Sequence, residues 1–149
     1  MSRIRITREF DFEMAHALWN YDGPCRNIHG HSYRLFVTVS GEPVTDHHNP
    51  KLGMVLDFTD LKRIVKQSVV DFLDHSLVIY RESEGEALSR IKDLYHKVHV
   101  FKFQPTSENL ILYIVDKIRP LLPSGISLQA VKLYETASSY AEWHAEDNN

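Results

Sequence analysis

The chain has 149 residues and a single cysteine, Cys25, so no disulfide can form within it. No apolar run approaches the roughly 18 residues that a bilayer-crossing helix needs. The N-terminal stretch Met1-Ser2-Arg3-Ile4-Arg5 alternates like a strand and lacks the apolar core of a signal peptide. Charge of one sign is also scarce. The net charge is -3 with nine histidines taken as neutral, and the 17 basic residues are scattered. A basic face for nucleic acid and an electrostatic membrane anchor are therefore not expected, and the reading is a cytoplasmic protein. There is no internal repeat or low-complexity tract. With 43% hydrophobic and 11% aromatic residues, a chain of this length can bury one core, and a single domain over residues 1–149 is expected.

What is present has an α+β order. Residues 3–16 alternate as a first strand, with Phe10, Phe12, Met14 and His16 in phase on one face. A loop with Gly23, Pro24 and Cys25 leads to a second strand over residues 29–40. There His29, His31, Tyr33, Leu35, Val37 and Val39 share a face. Gly41-Glu42-Pro43 and the polar run from Thr45 to Pro50 form a turn region, whose His47 and His48 read as solvated. After Asp57, a helix is spaced by Phe58, Leu61, Val65, Val69 and Phe72 and runs into Leu73-Asp74-His75. Ser83-Glu84-Gly85-Glu86 fits a capping box before Leu88, Ile91 and Leu94. Residues 98–103 read as a strand. Pro105-Thr106-Ser107-Glu108-Asn109 opens a second long helix, with Leu110, Ile111, Ile114, Val115 and Ile118 inward and Pro120 and Pro123 ending it. Residues 127–135 and 139–143 read as two further strands.

Four residues concentrate the chemistry: His16, then Cys25, His29 and His31 in Cys25-Arg26-Asn27-Ile28-His29-Gly30-His31. His29 and His31 are two apart, so on a strand both imidazoles point the same way. An antiparallel hairpin of the two strands brings three ring nitrogens together. Three protein nitrogens with an open fourth position is the arrangement of a catalytic zinc, whereas structural sites are closed by four ligands. Taken singly, each histidine also fits a core or surface role. Cys25 reads either as a small buried hydrophobe or as a thiol whose reactivity rises beside cationic charge. Asp74-His75 reads either as a helix C-terminal feature or as an acid/base pair. Glu135 follows Val131 and Leu133 at strand spacing, so its carboxylate projects from an otherwise apolar face or ends the strand in solvent. Thr106 and Ser107 serve helix capping at the least.

In order along nearly the whole chain, these motifs resemble a known family. They are an upstream histidine, Cys-x3-His-Gly-His, Leu-Asp-His ending the first helix, Pro-Thr-Ser-Glu-Asn opening the second, and Tyr134-Glu135-Thr136. The family is that of 6-pyruvoyltetrahydropterin synthase and 6-carboxytetrahydropterin synthase, and the short cysteine-to-histidine spacing is similar to the carboxy-forming branch. Residues 76–102 depart from the shortest members as an insertion.

The resemblance implies the tunnelling fold: a four-stranded antiparallel sheet with two long helices on one face. Subunit sheets join into a barrel, as a trimer or hexamer, with sites between subunits. It implies Zn2+ on His16, His29 and His31, Cys25 as general base, and Asp74 and His75 as a proton relay. Glu135 anchors the pterin and is drawn into that relay, and Thr106, Ser107 and Glu108 line the pocket. The activity it implies is conversion of 7,8-dihydroneopterin triphosphate to 6-carboxytetrahydropterin, releasing acetaldehyde and triphosphate, in 7-deazaguanine and queuosine synthesis. The alternatives are elimination to the 6-pyruvoyl product alone, a non-catalytic zinc and pterin-binding module, and a structural zinc closed by a fourth protein ligand such as Cys25. Lys51, Arg63 and Lys132 are unplaced candidates for the triphosphate.

Overall fold

The computed structural model describes residues 2–83 and 85–149. Among these residues, six strands form one sheet. They are β1 (Ile4–His16), β2 (His29–Gly41), β3 (Ser76–Tyr80), β4 (Val98–Phe101), β5 (Ser127–Tyr134) and β6 (Tyr140–His144), in spatial order β4-β3-β1-β2-β5-β6. Four helical segments accompany them. α1 (Phe58–Val65) passes through a π-helical stretch (Lys66–Val70) into α2 (Asp71–Leu73), and α3 (Glu86–Leu94) and α4 (Ser107–Ile118) come later in the chain.

The β1–β2 ladder is antiparallel over its full length and sets Phe10 opposite Leu35, Phe12 opposite Tyr33, Met14 opposite His31 and His16 opposite His29. Directly opposed residues share a face. The strongly apolar stripe of each strand therefore runs without interruption into the histidines at one end. β5 and β6 extend the sheet beyond β2 in antiparallel fashion, adding Leu128, Val131, Leu133 and Trp143 to the same face. That face is covered by Leu61, Val65, Val69 and Leu73 of the first helical run and by Leu110, Ile111, Ile114, Val115 and Ile118 of α4. Truncating a fully buried member such as Leu35 to alanine costs about 2–5 kcal/mol in lost contact and residual cavity. The opposite face is polar, with Thr7 on Thr38, Glu9 on Arg34 and Glu13 on Ser32.

The expected four-stranded antiparallel sheet is only part of this architecture. β3 joins β1 in parallel and β4 joins β3 in parallel, so the sheet is mixed and has six strands among the described residues. The run Ser76-Leu77-Val78-Ile79-Tyr80 lacks clean alternation because a strand between parallel neighbours is covered on both faces. Residues 76–102 thus form a strand–helix–strand crossover.

Its expected capping box is not formed. The N-cap of α3 is Gly85, with no side-chain cap, and Ser83 ends a preceding 3-10 turn; Glu84 lies outside the described residues. The strand expected over residues 98–103 ends at Phe101.

The first helix departs from its pattern for a local reason. Regular spacing predicts Phe72 inside, but the π-helical turn is one residue wider and rotates the residues beyond it. Leu73 is fully buried and Phe72 is 40% exposed, stacked on His99 with ring centroids 3.7 Å apart. Phe58, in the first turn, is also exposed. The starts of both long helices obey their sequence signals. Asp57 accepts from the Thr59 N–H, and the Thr106 hydroxyl accepts from the Asn109 N–H.

Candidate active site and metal centre

His16, His29 and His31 meet where the core face of the β1–β2 ribbon ends, and Glu135, the residue after β5, closes the group. The nearest ligand atoms of these four side chains all lie within 4.8 Å of one another. His16 is fully buried, and the other three are partly exposed. His16 Nδ1 lies 2.7 Å from the carbonyl oxygen of Pro105, and His29 Nδ1 lies 2.7 Å from that of Asn27. Carbonyl oxygens only accept, so each Nδ1 carries the proton and each Nε2 of the neutral ring presents a lone pair. Those two Nε2 atoms face each other at 3.1 Å. Two lone pairs at that separation repel unless an added proton or a cation lies between them.

His31 Nε2 is buried without an aligned hydrogen-bond partner, although Glu135 Oε1 is 2.9 Å away. Burial lowers the His31 pKa; Glu135 partly opposes this, and the other two imidazoles reinforce it. The same crowd acts on Glu135 in the opposite sense. The His16 contact, opposed by burial and helped by the Ser107 hydroxyl and by His31, holds its carboxyl down at about 2.

This donor set fits a zinc ion. Three neutral imidazole nitrogens converge, and two of them have their outer nitrogens fixed by carbonyl oxygens, the arrangement that orients metal-binding histidines. Cys25 is outside the cluster. It is half-buried in the 3-10 turn Pro24–Arg26, and its carbonyl accepts from the Leu18 N–H. The fourth side chain of the cluster is the Glu135 carboxylate, and Cys25 is not among its donors.

The remaining expected site residues fall into two places. Ser107 Oγ donates to Glu135 Oε2 at 2.8 Å, so the start of α4 reaches the histidine group directly. Thr106 works as the N-cap, while Glu108 is exposed and lines a shallow depression with Ala141 and Trp143. Asp74 and His75 are held elsewhere, against Glu13 of β1. The Glu13 N–H donates to Asp74 Oδ1, and the His75 N–H donates to the Glu13 carbonyl.

His75 has φ +58°, the left-handed region that a non-glycine residue occupies at a cost. Its Nδ1 is 2.9 Å from Asp74 Oδ2, and its side chain is 78% exposed. Asp74 sits below its ordinary pKa. Partial burial pushes it up but is outweighed by the Glu13 N–H, the His75 ring and the Lys97 ammonium. Lys97 donates to the carbonyls of Asp71 and Asp74 at the helix end. His75 opens into a cavity of about 680 Å³ that His31 of the cluster also lines, together with Glu13, Gly30, Ser32, Tyr95 and His96. Glu13, Gly30 and Ser32 belong to the sheet face opposite His16 and His29.

Sequence reasoning missed four contributors: the Pro105 and Asn27 carbonyls, Lys97, and Gln104, whose side chain pairs with the Trp19 backbone. Backbone acceptors leave no residue-type signal. Lys97 lies in a stretch that reads as an insertion. The candidate triphosphate cations are engaged elsewhere. Lys51 pairs with Asp57 near the Ile4 end of β1, Arg63 pairs with Asp60, and Lys132 lies over the Tyr140 ring and near Glu142.

Known proteins resemble the chain along almost all of it. The family model described as 6-pyruvoyl tetrahydropterin synthase matches residues 5–146. The 6-carboxy-5,6,7,8-tetrahydropterin synthase of Haemophilus influenzae is 34% identical over 142 residues, covering 94% of this chain and 98% of that protein. The human 6-pyruvoyl tetrahydrobiopterin synthase is 30% identical over 157 residues, covering 97% and 93%. Among solved structures, the Caenorhabditis elegans 6-pyruvoyl tetrahydropterin synthase superposes with a TM-score of 0.68 at 26% identity, covering 97% of each chain. An uncharacterised protein of Wolinella succinogenes, at 24% identity, shares the fold with a TM-score of 0.77, covering 97% and 99%.

Proposed function

This chain belongs to the 6-pyruvoyl tetrahydropterin synthase family, and from that premise we propose that it is a zinc-dependent lyase of the carboxy-forming branch. The reaction takes 7,8-dihydroneopterin triphosphate and water to 6-carboxytetrahydropterin, acetaldehyde and triphosphate, as a step toward 7-deazaguanines and queuosine. The observation that carries this reading is the convergence of His16, His29, His31 and Glu135, whose ligand atoms lie within 4.8 Å of one another, with two Nε2 atoms facing at 3.1 Å in a geometry that a bound cation or an added proton relieves. The carboxy-forming branch is supported by the 34% identity to the Haemophilus influenzae synthase and by the three residues between Cys25 and His29. The identity to the human pyruvoyl-forming enzyme, 30%, keeps the shorter reaction as the runner-up.

His16, His29 and His31 would hold zinc, which when bound supplies Lewis-acid stabilisation of the negative charge left as a proton departs from the adjacent side-chain carbon. Cys25, as thiolate, takes that proton. Asp74 fixes the proton on His75 Nδ1, which leaves Nε2 of that ring to pass protons to and from the substrate side chain. Glu135, held by Ser107, accepts the paired N–H and amino group of the pterin edge. Its carboxylate is ionised across the neutral range, as such a bidentate acceptor must be. Thr106 and Glu108 complete the substrate pocket in this reading.

In this reading the sites are shared between copies, as the family resemblance implies. Residues 1–149 then act as one catalytic unit, with residues 76–102 an insertion, in a cytoplasmic trimer or hexamer whose joined sheets form a barrel. The test is to incubate zinc-loaded protein with 7,8-dihydroneopterin triphosphate and identify products by mass spectrometry. Carboxytetrahydropterin with acetaldehyde is expected. A pyruvoyl product without acetaldehyde moves the protein to the other branch, and pterin binding without conversion makes it a binding module.

A further inference from the structure

The loop of residues 17–28 carries Cys25, and its internal ties are few. Leu18 N–H donates to the Cys25 carbonyl at 2.9 Å, and the Arg26 and Asn27 N–H groups close the short turn on Gly23 and Pro24. Asn20 has a left-handed backbone, φ +56°. Among the described residues, one residue outside the β1–β2 ribbon hydrogen-bonds to this loop. It is Gln104, in the linker between β4 and α4. Its Oε1 accepts from the Trp19 N–H at 2.8 Å, and its Nε2 donates to the Trp19 carbonyl at 2.9 Å. The carboxamide thus mimics a strand partner for one residue, and Trp19 is next to Leu18, the residue bonded to the Cys25 carbonyl.

Gln104 is itself firmly held. Its carbonyl accepts from the Thr106 N–H and from the Asn109 side chain, both belonging to the start of α4. The next residue, Pro105, provides the carbonyl that fixes His16. One dipeptide therefore grips the histidine cluster with its backbone and the cysteine loop with its side chain. Glutamine suits this task because only a carboxamide offers donor and acceptor side by side.

We infer that Gln104 is a positioning residue that sets where Cys25 sits relative to His16, His29 and His31. The inference rests on the reading of Cys25 as the general base. Gln104 does not act on substrate; it removes the freedom of the loop that would otherwise carry the thiol out of reach. Misplacement of a reacting group by about 1 Å costs roughly 100-fold in rate.

Two substitutions grade the effect. Gln104→Glu keeps the acceptor for the Trp19 N–H and loses the donor; Gln104→Met keeps the shape and loses both. In zinc-loaded protein, kcat is expected to fall in the order Met below Glu below wild type, by about 10-fold or more for Met. KM stays within about twofold and zinc content is unchanged. Alkylation of Cys25 by iodoacetamide at neutral pH accelerates in the same order as the loop loosens. Unchanged kcat in Gln104→Met, a rise in KM alone, or unchanged alkylation would each overturn the inference. If the wild-type protein converts no pterin, the proposed reaction fails, and alkylation of the two variants still decides whether Gln104 holds the loop.

Discussion

At the end of the β1–β2 ribbon, three imidazoles project from one buried face, two with their outer nitrogens tied to carbonyl oxygens. Beside Glu13 of the same strand, Asp74-His75 is held by its backbone, and the His75 ring opens into a broad cavity. The first group is finished within one chain. Its orientation comes from strand alternation and needs nothing from outside. The second has a fixed base and a free working end, with backbone strain at His75 retained by two hydrogen bonds to Glu13. The difference teaches that this chain fixes fully a histidine group that could hold a cation, and fixes the Asp74-His75 pair only up to its exposed ring. His31 of the first group and His75 of the second line the same cavity.

The largest effect expected from breaking this contrast comes from the histidines. His29→Ala or His31→Ala should weaken metal binding by more than the roughly 100-fold that loss of an outer partner costs, and turnover should vanish with it. Metal analysis after dialysis, alongside the product assay, checks this. Cys25→Ala comes next. Loss of about 100-fold or more in kcat is expected with metal content intact, because the thiol lies outside the cluster. Equal loss of metal in that variant would put sulfur among the ligands and reverse the assignment.

Asp74→Asn should lower kcat by roughly 10- to 100-fold, since the His75 ring loses the carboxylate that fixes its proton. Mixing Asp74→Asn chains with Cys25→Ala chains sharpens the comparison further. Recovery of activity after subunit exchange is expected if the exposed pair serves a neighbour's histidines. No recovery in proven mixed oligomers would return both halves to one chain.

The smallest effect is on stability. Glu135 has its carboxyl lowered from 4.5 to about 2 by His16 and Ser107. A lowered folded-state value stabilises the fold fully above the unfolded value, and that contribution is lost as pH falls from about 4.5 toward 2. Urea unfolding of metal-free protein across this window should show a steeper acid loss than Glu135→Gln. Parallel curves would deny the contact its strength.

Much of this was legible in the residues because alternation is a strong constraint. Phe10 to His16 and His29 to Val39 declare their shared face, and a hairpin between them leaves the three histidines nowhere else to point. The inward face of α4 and its Thr106 cap were equally readable. Other features were hidden for physical reasons. A π-helical turn has no residue-type signature, so Phe72 and Leu73 exchanged roles. The short β3 run, flanked by parallel neighbours, carries no period-two pattern. Carbonyl groups from Pro105 and Asn27 are common to every residue, so the partners that set two imidazoles emerge only in three dimensions. The placement of Asp74-His75 against Glu13 depends on a contact 61 residues apart in sequence, which no local pattern reports.

The central proposal is that His16, His29 and His31 supply the imidazole ligands of a metal ion and that Cys25 is not among its donors. X-ray absorption at the zinc edge of the purified protein, compared with Cys25→Ala and His31→Ala, tests it most directly. The account predicts nitrogen and oxygen donors with no sulfur, an unchanged spectrum in Cys25→Ala and loss of bound zinc in His31→Ala. A sulfur donor that disappears with Cys25, or zinc that stays in place without His31, would contradict it.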